Sequence, residues 1–180
     1  MVLKKNFMLK KICHINLILF CSVMSMQAQD DNKEYNLKAA FIYNFTQFIE
    51  WNSLNTSNEF IIGVVNSSPI TAALEDIARS KTVDSKKIII RHFYTPEEIN
   101  DCNILFISAN SKIPLDKILE KTKSKNTLII SEQQGYAKLG SAINFIVVNA
   151  KLKFEANTKA IKSAGLTASS QLLKLAVIVE

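Results

Sequence analysis

Phe60-Ile61-Ile62-Gly63-Val64-Val65-Asn66-Ser67-Ser68-Pro69 reads as a strand feeding a helix. Phe60–Val65 is a short apolar run rich in Ile and Val, and Asn66, Ser67 and Ser68 close it with turn chemistry. Pro69 suits a first helical position after a Ser cap, and the helix runs to about Ser80. Downstream the alternation repeats. Lys87–His92 reads as a second strand, and Thr95-Pro96-Glu97-Glu98 starts a short helix. Ile104–Ser108 is a third strand, Pro114 to about Lys123 a helix, and Thr127–Ser131 a fourth strand. Strand, helix and strand in turn imply parallel pairing and α/β layering.

The C-terminal third changes style. Ala142–Val148 and Lys151–Ala156 are separated only by Asn149-Ala150, which fits a tight antiparallel hairpin. Thr158–Ala164 reads as a helix stopped by Gly165. Ser169 or Ser170 then caps a last amphipathic helix, Gln171–Val177. The fold class is therefore α/β: a single compact domain with a mixed, mostly parallel sheet, flanking helices and a C-terminal antiparallel hairpin.

Upstream, Asp30-Asp31-Asn32 offers caps for a helix reaching about Trp51. Leu37, Ala40, Phe41, Asn44, Phe45, Phe48 and Ile49 recur at helical spacing, while Lys33, Glu34, Lys38 and Gln47 fall largely elsewhere. Such an aromatic stripe serves a core or a dimer contact. Before it, Lys4, Lys5, Lys10 and Lys11 precede the apolar run Ile12–Met24, and Ala28 follows a short polar stretch. That is the layout of a secretory signal peptide, so residues 1–28 are expected to be cleaved and residues 29–180 to form the exported domain. The apolar run is too short for the roughly 20 residues that span a bilayer.

Export changes the charge arithmetic. The chain has 180 residues with 22 basic and 16 acidic side chains, a formal +6. Four basic residues and no acidic ones lie in the leader, leaving 18 against 16, a net +2. A basic polyanion-binding surface is not indicated, and nucleic acid is not an expected partner. Two of the three cysteines also leave, so Cys102 cannot form an intrachain disulfide and reads as a buried strand-edge thiol.

Catalytic constellations are missing. His92 is the one mature histidine, and no Gly-x-Ser-x-Gly elbow or His/Cys cluster with metal spacing occurs. Neither an enzyme mechanism, a cofactor nor a metal is expected. Three strands do end in small polar residues: Asn66, Ser67 and Ser68 after the first, Ser108 after the third, and Gln133 after the fourth. If the strands are parallel, these loops share the sheet edge where open α/β folds bind ligands, so a periplasmic small-molecule binding module is one reading. The other reading gives these residues only caps and turns.

The segments "YNLKAAFIYNFTQFIEW", "FIIGVVNSSPI", "CNILFIS", "TLIISEQQGYAKLGSAINFIVVNAKLKFEAN" and "AIKSAGLTASSQLLKLAVIV" together resemble the YfiR-like family of exported bacterial regulators. The resemblance runs from about Tyr35 to Val179 and rests on the order and spacing of these soft motifs. It implies a non-enzymatic periplasmic protein, often a homodimer, that restrains the periplasmic part of an inner-membrane sensor such as a diguanylate cyclase. An outer-membrane lipoprotein that sequesters it is a further implied partner. The resemblance also points to an interaction surface at Glu155, Asn157, Gly165 and Leu166. The competing reading makes Phe154 and Leu166 core and leaves Glu155 a solvated strand residue. The founding member's structural cysteines do not transfer, because only Cys102 survives processing.

Overall fold

The computed structural model describes residues 32–51 and 57–179. The expected signal peptide lies outside the described residues. The chain separates after Tyr35 into a leading unit, described only as the helical residues 32–35, and a body, Asn36–Glu180, that holds every other element.

Helix α1 spans 32–45 and is followed by β1, Ile49–Trp51. Then come β2 (Glu59–Val65), α2 (Ile70–Ser80), β3 (Thr82–Val83) and β4 (Lys86–Phe93). A 3-10 turn at Pro96–Glu98 leads to β5 (Ile104–Ile107), α3 (Leu115–Thr122) and β6 (Leu128–Ser131). The hairpin β7 (Ile143–Val148) and β8 (Lys151–Asn157) precedes α4 (Thr158–Ser163), β9 (Leu166–Ala168), α5 (Ser170–Leu175) and β10 (Val177–Val179).

Eight strands form one sheet in the order β10-β8-β7-β6-β5-β2-β4-β3. Only β7–β8 and β4–β3 pair antiparallel; the other five pairings are parallel. The mixed, mostly parallel α/β sheet expected from the alternation is what forms. Every residue of β5 and β6 is buried, because helices cover both faces of the central parallel strands. One face packs Leu105, Ile107 and Ile129 against Leu115 and Ile118 of α3, with Phe93 and Cys102 in the same cluster. Gly63 is obligatory at the middle of β2: a Cβ there would stand 2.6 Å from Phe93 Cε2 and 2.8 Å from Leu105 Cδ1.

The hairpin forms as read. Asn149 and Ala150 both take positive φ, 51° and 57°, as a two-residue turn matched to strand twist requires. Its apolar face receives α1. Phe45 lies 5.0 Å from Phe154 edge-on and 6.1 Å from Phe145 in a stacked arrangement, and Phe41 is 6.0 Å from Phe154. The stripe is thus core, at least at these two aromatics.

Four details depart from the sequence reading. Helix α1 stops at 45, not near Trp51. Thr46, Gln47 and Phe48 donate backbone bonds three residues back, and Thr46 Oγ1 donates to Tyr43 O at 2.6 Å, tightening the last turn into a stop. Its buried face is also rotated: Lys38, Ala39, Ile42 and Phe45 are buried, whereas Leu37 is 47% exposed. Ile49–Trp51 instead pairs antiparallel with Leu166–Ala168 as a separate two-stranded sheet. The last helix ends at Leu175, where Ala176 turns extended, and the β-branched Val177-Ile178-Val179 joins β8 in parallel.

Candidate functional site

The parallel order β6-β5-β2 puts the loops after these strands at one edge, as their polar sequences implied. The chemistry there is largely turned inward. Gln133 Nε2 donates to Ala109 O at 2.8 Å, and the Ala109 amide donates to Glu132 Oε1 at 2.9 Å, tying the β6 loop to the β5 loop. Ser108 Oγ donates to Asn110 Oδ1 at 2.7 Å within its own loop. Ser68 Oγ accepts weakly from the Ile70 amide at the start of α2, where Pro69 takes the cap position that the sequence reading gave to Ser. Asn66 sits at φ 62° with its amide on Phe93 O, while Ser67 is exposed. Asn66 Oδ1 and Thr71 Oγ1 are buried without a hydrogen-bond partner.

Glu132 extends this tie. Its Oε2 receives Lys38 Nζ from α1 at 2.5 Å, with both side chains almost fully enclosed, 7% and 3% exposed. One carboxylate therefore links α1, the β5 loop and the end of β6. Sequence periodicity had put Lys38 off the apolar face. Its long stem buries along the core while its head finds a partner 94 residues away, a pairing no local pattern reveals.

A second polar line crosses the sheet next to the first. The register sets Ser131 opposite Asn144 and Asn144 opposite Glu155. Ser131 Oγ contacts Asn144 Oδ1 at 2.7 Å and Ser141 Oγ at 2.8 Å, and Asn144 Nδ2 donates to Glu155 Oε2 at 2.9 Å. Ser131, Ser141 and Asn144 are fully buried, so each side chain needs these bonds. Asn144 was legible as the lone amide in an apolar strand run; Ser141 carried no such signal.

The four residues read as a partner surface occupy unlike environments. Asn157 is buried, donates Nδ2 to Ala137 O at 2.8 Å and accepts from the Ala160 amide, capping α4. Gly165 takes φ 74°, the left-handed stop after α4. Phe154 and Leu166 are 3% and 4% exposed and belong to the core. Glu155 is half-buried, its carboxylate held by Asn144. Only Glu155 of the side chains in this set reaches solvent.

His92 and Cys102 stay apart. The register places His92 beside Val64 near the C-terminal end of β2, while Asn103, next to Cys102, bonds Ile61 near its start. That separation is about 10 Å along the strand. Burial pushes the Cys102 thiol up to about 12, and it is enclosed at 5% exposure. Among the described residues no cluster of His, Cys, Asp or Glu is spaced to hold a metal, and no helix is long and apolar enough to cross a membrane.

The chain belongs to the YfiR/HmsC-like family, whose model matches residues 35–177, more than three quarters of its length. That family is one of periplasmic regulators, non-catalytic and acting with membrane signalling partners.

Proposed function

We propose that the exported domain binds the periplasmic part of an inner-membrane signalling protein, a diguanylate cyclase, and restrains it. The observation that carries this reading is the family match over residues 35–177, which spans every strand of the body from β1 through the start of β10. The leader Met1–Ala28 is removed on export, and the domain works as a homodimer that an outer-membrane lipoprotein sequesters to release the cyclase. Restraint follows from differential affinity: binding favours the inactive conformation of the partner, and removal shifts the population back. Glu155 and the Gly165 turn form part of the contact, with Asn157 and Leu166 holding that region in shape from within.

Photo-crosslinking from surface positions around Glu155 in intact cells tests the contact. Recovery of an inner-membrane protein with a periplasmic segment and a cyclase output domain is expected. Crosslinks to none under several growth conditions would sink the reading.

A further inference from the structure

Between α3 and α4, on one face of the sheet, lies a groove of about 380 Å³. Its lining is two-sided in chemistry. Leu119, Ile129 and Ala142 supply an apolar floor, and Leu139 stands 64% exposed at its side. Lys123, Lys138 and Lys159 line it from three different segments, and no Asp or Glu lines it. Three other cations do meet carboxylates: Arg91 meets Glu59, Lys117 meets Glu120, and Lys125 meets Asp101. None of the three groove lysines makes an ion pair or side-chain hydrogen bond among the described residues.

The walls are built, not incidental. Gly140 takes φ +116°, and a Cβ there would come 3.0 Å from Leu119 Cδ1, so the 136–140 turn lies directly against α3. Asn157, fully bonded to Ala137 O and the Ala160 amide, fixes the same turn to the start of α4. Lys138 and Lys159 are thereby held on either side of one cleft. Three exposed cations lining one partly apolar cleft, with no carboxylate beside them, make its potential positive, and an anion relieves it. The volume equals about a dozen waters at roughly 30 Å³ each, the low end for a small-ligand site.

We infer that this groove binds a small amphiphilic anion, a carboxylate or phosphate head on an apolar body of about ten heavy atoms. The head sits among Lys123, Lys138 and Lys159, and the body lies on Leu119 and Ile129 beside Leu139. This site is separate from the strand-end loops and from Glu155, and it stands whether or not the chain restrains a cyclase.

Titration of the isotope-labelled protein with sodium octanoate, octyl phosphate, octan-1-ol, octylammonium and inorganic phosphate tests it by amide chemical shifts. The two amphiphilic anions should shift the amides of Lys138, Leu139, Gly140 and Ala160 and bind at least tenfold more tightly than the other three probes. Affinity should drop severalfold between 20 mM and 500 mM salt, over which the screening length falls from roughly 20 Å to about 4 Å. The K138E/K159E double variant should keep a native spectrum and lose tenfold or more, with K138Q/K159Q between. Octanol binding as well as octanoate, a variant binding as well as the parent, or no shift at those amides with either amphiphile would each overturn the assignment.

Discussion

At the scale of single residues, two buried groups make sharp predictions. The Cys102 thiol is raised from 9.0 to about 12, first by burial and against a smaller lowering from Thr127. Burial both disfavours the thiolate and blocks access, so at pH 8 iodoacetamide should label the native protein at least tenfold more slowly than the unfolded chain. The same shift predicts a pH effect on stability. Between about 9 and 12 the unfolded chain has released a proton that the folded state still holds, so stability falls as pH rises through that window and is unaffected below it. Cys102→Ala should flatten that alkaline slope in denaturant titrations at pH 8 and 10.5.

Glu132 makes the other. It holds Lys38 and the Ala109 amide with almost no solvent contact. Lys38→Met leaves a buried carboxylate short of its cation and should cost about 3–5 kcal/mol in chemical denaturation. Adding Glu132→Gln should recover much of that loss. Equal stability of parent and Lys38→Met would mean the pair does not organise this edge.

At the scale of elements, what was legible follows from how each element is stabilised. Strands β2, β5 and β6 are covered on both faces and so are written as continuous apolar runs that stand out locally. The three-residue strands β1, β9 and β10 are held by partners distant in sequence: Ile49–Trp51 exists as strand because Leu166–Ala168 lies alongside. Nothing in three residues encodes that. The same holds for the candidate site. The shared edge was legible from parallel order alone, but the bonds that tie its loops to one another and to α1 span gaps of 23 to 94 residues. Helix α1 was legible as amphipathic, and its face was misjudged because a lysine was counted as outward. Its contribution is measurable: Phe45 is 1% exposed amid Phe41, Phe145 and Phe154, and Phe45→Ala should destabilise by about 3–5 kcal/mol. Leu37→Ala, on the exposed side of the same helix, should change stability by about 0.5 kcal/mol or less.

At the scale of the whole molecule, the sheet carries two hydrogen-bonded polar lines, through Glu132 and through Asn144, and an enclosed thiol. Four of the 22 basic side chains and none of the 16 acidic ones lie in residues 1–28, leaving 18 against 16 in residues 29–180. Regulation by such a protein depends on which side of the inner membrane it occupies. The direct measurement is therefore the cellular cyclic di-GMP level in cells lacking this chain, complemented either with the full sequence or with a copy starting at Gln29 and lacking the leader. Cyclic di-GMP is expected to rise severalfold on loss and to return to the parental level only with the exported copy. An unchanged level on loss, or equal restoration by the leaderless copy, would contradict restraint of a cyclase from the periplasm.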